Sequence, residues 1–169
     1  MKPEKGEYAA YYQTYIDIVT ETDVIEAMSE SAQADAAFIR EIDESLAHYA
    51  YEPGKWSIAE VIQHVIDAER IFAYRALCIA RGEKINLPGF NENEYASVSA
   101  ANGRTLEELA DELETVRYST AMMFESFDDD MWGRSGTSNN NPISVKAIAS
   151  IIIGHSRHHM HIIEERYLE

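Results

Sequence analysis

Apolar residues recur at helical spacing in four long stretches of the chain, and no stretch of any length alternates like a strand. The first stretch begins at Asp23, with Glu26 three residues on in a capping-box-like start, and runs to about Tyr49. Ile25, Met28, Ala32, Phe38, Ile42 and Leu46 form its stripe, and Pro53-Gly54 then breaks the chain. Ser57 and Glu60 open the second helix as a Ser-x-x-Glu box, and Gly82 stops it after Arg81. Its stripe is Val61, Val65, Ala68, Phe72 and Ile79. A third helix is predicted from Thr105, boxed by Glu108, to about Phe127, with Leu106, Leu109, Leu113, Val116, Ala121 and Phe124 inside. Asp128-Asp129-Asp130 ends it, and residues 133–142 read as a polar loop. The fourth helix runs from a Ser144 cap through Leu168 without a proline. Ahead of all four, Tyr8, Tyr11, Tyr12 and Tyr15 are spaced for a short helix laid on the body by its aromatic face. Packing is the simplest role for those tyrosines.

Between the second and third helices lie residues 82–103, a long connection carrying Leu87-Pro88-Gly89-Phe90-Asn91-Glu92-Asn93. Connections of that length in a compact domain are usually functional or crossovers. This one can run back along a helix of about 25 residues, roughly 37 Å, which would leave the second and third helices parallel. The expectation is an all-α, single-domain four-helix bundle over residues 1–169, with residues 1–22 packed on it.

The chain of 169 residues is long enough for a sizeable core. Its net charge of −16 argues against broad binding to nucleic-acid backbones, which relies on Lys and Arg clusters. The longest apolar run, residues 147–153 with Ser150 inside it, is too short to span a bilayer. Cys78 is the single cysteine, so no intrachain disulfide can form. With no apolar run behind the charged first residues, no secretory signal is read and a cytoplasmic location is expected.

Four of the six histidines fall within Gly154-His155-Ser156-Arg157-His158-His159-Met160-His161. At roughly 100° per residue, His155 and His159 sit in the middle of the face shared by Ile148, Ile151, Ile152, Ile162 and Ile163. His158 lies at its border, and His161 points towards Arg157 and Glu164. An i, i+4 pair stacks one turn apart, so both imidazoles can reach one ion. Polar groups on an apolar face need partners, because burying them unsatisfied is costly. Hydrogen-bonded core histidines are the plain alternative. His64, at the edge of the second helix's stripe, is the natural third ligand; His48 reads as an ordinary solvated residue near a helix end. Glu60 and Asp67 lie one turn either side of His64, and either carboxylate could fix its tautomer. Arg75 follows His64 by eleven residues on the same face, roughly 16 Å along the helix. It is too far to touch an ion at His64 but well placed to hold an anionic group, unless it serves in a structural ion pair.

Three protein ligands with a position left over is the pattern of catalytic zinc, whereas structural zinc usually takes four. Imidazole also suits nickel, iron and copper. Imidazole ligation alone leaves the ion open; for the one divalent ion expected, zinc or nickel is placed first, with iron or manganese behind. The paired Glu-x-x-His of di-iron bundles is missing, since Glu60 precedes His64 by four. Ser156 stands where a zincin has its catalytic Glu, and no Gly-x-Ser-x-Gly elbow occurs.

From Tyr8 to Leu168 the chain resembles the DinB-like (DinB/YfiT) family. The resemblance is carried by Gly54-Lys55-Trp56-Ser57-Ile58-Ala59-Glu60 leading to His64, by Asp67-Ala68-Glu69-Arg70, and by Gly154-His155-Ser156-Arg157-His158-His159. It implies an up-down-down-up bundle with a long crossover, a histidine triad on His64, His155 and His159, and a homodimer. It also implies a metal-dependent enzyme, most concretely a transferase that uses a low-molecular-weight thiol on a small electrophile, or a hydrolase. No family role attaches to His158 or His161. The competing expectation is a non-catalytic metal-binding, dimerising module. A pocket beside the triad would favour the enzyme, and a closed coordination sphere the module.

Overall fold

A computed structural model describes residues 2–168. The amino-terminal segment passes through a 3-10 turn, Ala10–Tyr12, into a short helix α1, Gln13–Ile18. The long helices are α2 (Val24–Glu41), α3 (Ile58–Ala80), α5 (Leu106–Glu125) and α7 (Val145–Tyr167). Shorter α4 (Glu92–Val98) lies in the crossover, and α6 (Asp129–Trp132) follows α5.

The predicted starts are built as side-chain caps. Ser57 with Glu60, and Thr105 with Glu108, form complete reciprocal boxes. Ser144 accepts from the Ala147 N–H, and Asp23 accepts from Ile25 and Glu26 without a return bond from Glu26. Helix α2 ends at Glu41, well before the expected Tyr49. Ile42 turns extended, and the Asp43 carboxylate caps a separate 3-10 turn, Glu44–Leu46. The apolar period carries on through Ile42 and Leu46 because both still face the core, although the backbone between them has left the helix.

The purely helical expectation needs one correction. Residues 133–142 are not all loop: β2 (Ser135–Ser138) and β3 (Asn141–Ser144) pair antiparallel, and β1 (Asn86–Leu87) joins β2 in parallel. Asn139 and Asn140, at φ of 50° and 60°, make the two-residue turn, a conformation that asparagine tolerates. This sheet ties the crossover to the connection before α7. The Asn139 N–H donates to the Leu87 carbonyl, and Asn86 bonds Asn140 through side chain and backbone.

Helix α5 packs on α2 and α3, and α7 packs on the same two, which closes the bundle. Polar contacts give the directions. Ser57, Gln63 and Arg70 meet Asn102, Arg104 and Glu112 in rising order, so α3 and α5 run the same way. Gln33 meets Tyr118 whereas Arg40 meets Glu107, so α2 and α5 are opposed.

The core has two apolar lobes. One gathers Met28, Phe72, Phe124 and Ile148, and the other Ile39, Ile62, Leu109 and Ile163. Between them lies a layer of buried polar residues drawn from all four long helices: Ser31 and Asp35, Glu69, Arg117, and His155 and Ser156. The fully buried Arg117 donates through Nε to both Glu69 oxygens at 2.9 Å and also bonds the Ser31 hydroxyl. Asp35 accepts from the Ser156 hydroxyl at 2.6 Å. The candidate site opens at this level.

Candidate metal centre

Helix α3 brings His64, and α7 brings His155 and His159, to one point. The Nε2 atom of His155 lies 3.1 Å from that of His64 and 3.1 Å from that of His159. One nitrogen from each ring falls within 4.8 Å of both others. Bonds of about 2.0–2.1 Å in a tetrahedral arrangement set ligand nitrogens roughly 3.3 Å apart, so His155 stands from both partners at the spacing that a small divalent ion requires. Burial favours the neutral rings that such an ion needs: it pushes His64 down to about 4 and His159 to about 3, and takes His155 well below its ordinary range.

The rings are held by aromatic contacts. Trp56, just before the α3 cap, packs on His64 at 4.9 Å between centroids, and Tyr15 meets His155 edge-on at 5.3 Å. Tyr15 comes this close because α1 crosses α7 at Gly154. A Cβ there would lie 2.0 Å from the Tyr15 carbonyl oxygen.

A cavity of about 480 Å3 opens over the triad. Beyond the histidines and Trp56, its wall includes Tyr11, Tyr12 and Tyr15 from the amino-terminal segment, Phe72 and Arg75 from α3, Gly89, Phe90 and Glu92 from the crossover, and Asn139 from the hairpin turn. The amino-terminal tyrosines thus do more than pack. Burial raises the hydroxyl pKa of Tyr11 and Tyr15.

Arg75 is buried at 3% exposure and lines this cavity. It donates to the Pro88 carbonyl at 2.7 Å, and its guanidinium lies 5.3 Å from the Phe72 centroid and 5.9 Å from that of Phe90. None of the ion pairs among the described residues involves it, so the alternative of a structural ion pair is not realised.

The expected helpers of His64 lie elsewhere. Glu60 is consumed by its cap, accepting from the Ser57 N–H at 2.8 Å and from Asn102. Asp67 accepts from Gln63 at 3.0 Å. Neither lines the cavity, because one turn along α3 rotates each away from His64. Glu92 is the one carboxylate in the cavity wall among the described residues, and its charge is felt by His64. Sequence spacing gave no sign of it. Asn91 caps α4 by accepting from Asn93 and Glu94, and that cap sets Glu92 at the first turn.

His158 is half-buried beside Tyr15, with its ring 5.2 Å from that of His159. His161 is out on the surface with Glu164 and Glu165, and His48 is exposed.

The family model of the DinB superfamily matches residues 27–163. Among solved structures, the chain is similar to YfiT from Bacillus subtilis, described as a probable metal-dependent hydrolase with an unusual four-helix bundle topology. The match has a TM-score of 0.77 at 14% identity, over 98% of this chain and 90% of that one. No curated protein matches the sequence.

Proposed function

The chain belongs to the DinB superfamily, and on that footing we propose that it is a metal-dependent enzyme whose His64, His155 and His159 hold one divalent ion. The observation that carries the reading is the placing of three neutral, converging imidazoles on the wall of an open cavity rather than in a sealed core. An ion held by three protein groups supplies Lewis acidity and lowers the pKa of a water or thiol that joins it. The chain's own residues do the rest. Trp56 and Tyr15 keep the rings in register, Arg75 binds an anionic group of the substrate or thiol, and Glu92 takes or returns a proton on the cavity side.

The most concrete form of this proposal is a thiol-dependent transfer to a small electrophile. Hydrolysis, the activity ascribed to YfiT, is the neighbouring form and uses the same parts. The cavity tells against a module in which the triad merely ties α3 to α7. The helix order up-down-down-up belongs to the same reading, supported by the pairwise directions of α2, α3 and α5. So does a homodimer, which light scattering after gel filtration would reveal as twice the chain mass. Among the described residues no helix is long and apolar enough to cross a membrane.

Metal titration followed by elemental analysis tests the core of the proposal. The wild type should take up one zinc or nickel ion per chain, and His155→Ala should lose it. Undiminished stoichiometry and affinity in that variant would remove the triad from consideration. Screening the metal-loaded protein against thiols paired with electrophiles, and against simple esters and amides, then separates transfer from hydrolysis.

A further inference from the structure

A guanidinium is never deprotonated at ordinary pH, and burying one without an anion is expensive. Arg75 is in that position. It is almost fully buried, its partners are the uncharged Pro88 carbonyl, the Tyr12 hydroxyl and two aromatic faces, and no carboxylate pairs with it among the described residues. The two rings offset part of the cost through cation–π contact. The space beside the guanidinium belongs to the same cavity as the triad. Away from the triad, that cavity is walled chiefly by aromatic rings: Tyr11, Tyr12, Phe72 and Phe90.

The cavity is also polarised. Arg75 gives it one fixed positive charge. Glu92 gives it a negative one, whose influence falls on His64 and Tyr15. A ligand with two anionic ends would meet Glu92, whereas a ligand with a single anionic end is drawn to Arg75.

We propose that this cavity takes a flat aromatic monocarboxylate, its carboxylate paired with the Arg75 guanidinium, its ring against Phe72, Phe90 and the amino-terminal tyrosines, and its other end directed at the triad. This names the ligand class for the function proposed above and rests on that reading only for what lies at the triad end. The volume of about 480 Å3 is within the range of sites that enclose small organic ligands. A planar guanidinium meets a carboxylate with two parallel donors. Pro88 and the Tyr12 hydroxyl take two of the five guanidinium donors, which leaves others for the ligand.

The test is calorimetric titration of the full chain, both metal-free and zinc-loaded, with naphthoate, naphthamide and decalin carboxylate. Naphthoate should bind about ten- to a hundredfold more tightly than naphthamide, the ratio expected for a charge-assisted contact, and more tightly than the saturated acid. The first ratio should persist without metal and collapse in Arg75→Met, and the second should shrink in Phe90→Leu. Equal affinity for acid and amide in the wild type overturns the anion site, as does a ratio that survives in folded Arg75→Met. Equal affinity for naphthoate and decalin carboxylate overturns the aromatic assignment. The wild-type ratios and Phe90→Leu decide the matter even if Arg75→Met does not fold. Zinc uptake is measured on the same samples. Zinc binding without the naphthoate ratios refutes this inference alone, and the ratios without zinc binding refute the metal reading alone.

Discussion

Gly154 is a glycine inside a long helix, where it costs about 0.8–1.0 kcal/mol relative to alanine. Replacing it with alanine should therefore stabilise α7, unless something needs the space. The structure says that something does. The added Cβ would lie 2.0 Å from the carbonyl oxygen of Tyr15, 2.6 Å from its carbonyl carbon and 3.0 Å from its Cα. All three are backbone atoms, so no rotamer change relieves the clash. Restoring ordinary contact at 3.4 Å requires a displacement of 3.4 − 2.0 = 1.4 Å between α1 and α7. If α1 yields by straining in place, overpacking costs about 1–3 kcal/mol. If it lifts off, Ile16 and Val19, 1% and 6% exposed, lose their cover. Burial of such side chains is worth about 1.5–3 kcal/mol each, so lifting off costs roughly 3–6 kcal/mol. After the propensity gain, Gly154→Ala should lose about 2–5 kcal/mol if α1 detaches and up to about 2 kcal/mol if it strains. Urea unfolding followed by circular dichroism reads the loss. Detachment should also lower the urea slope, since less surface remains to be exposed. Zinc stoichiometry should stay at one, because all three imidazoles sit on α3 and α7. A variant more stable than the wild type by the full propensity gain of about 0.8–1.0 kcal/mol would refute the docking of α1 at Gly154.

The metal-free protein should lose stability as pH falls. The unfolded chain protonates His64 and His159 near 6.5, but the folded one resists until about 4 and about 3. The unfolded state therefore binds more protons across that window, and stability is complete above it and declines through it. Urea midpoints against pH should show a shallower decline in His64→Asn; an unchanged slope would contradict the neutral triad. Arg117→Met leaves Glu69 and Asp35 buried without their cation and should cost about 3–5 kcal/mol near neutral pH. Part of that should return on acidification, as the two carboxylates take up protons, and a loss independent of pH would argue against the charge network. Once a reacting pair is found, Glu92→Gln should lower kcat by about 10²–10⁴ with unchanged zinc content. Full activity in that variant would leave proton transfer to solvent.

Much of the bundle is legible in the chain because its helices are written twice, once as an apolar stripe and once as a cap. Ser57 with Glu60 and Thr105 with Glu108 place two helix starts to the residue. The places that escape are those where the apolar period and the backbone part company. Ile42 and Leu46 keep time with α2 although the helix has ended at Glu41, because burial depends on where a side chain points and not on the hydrogen bonds beneath it. The β2–β3 hairpin escapes for the opposite reason. Its strands are short and polar, and its turn is Asn139-Asn140 rather than a glycine pair, so neither alternation nor a familiar turn dipeptide marks it.

The site divides along the same line. His64, His155 and His159 could be chosen by phase because each stands on a long helix with a clear buried face, and phase on a helix is geometry. Arg75 was legible as a direction for the same reason. What surrounds it was not: Pro88, Phe90 and Glu92 come from the crossover, and Asn139 from the hairpin. The positions of these residues depend on how irregular backbone is tied down by the Asn91 cap and by the pairing of β1 with β2. Glu60 and Asp67 show the reverse error. One turn from His64 puts them near it in sequence, but Glu60, four places back, is rotated by ~40° and Asp67, three places on, by ~60°, and here a cap and a glutamine claim the two carboxylates first. A helix thus fixes where the imidazoles point, while the segments that close the cavity determine what else can reach them. Those segments are therefore where substrate choice in this bundle should be sought.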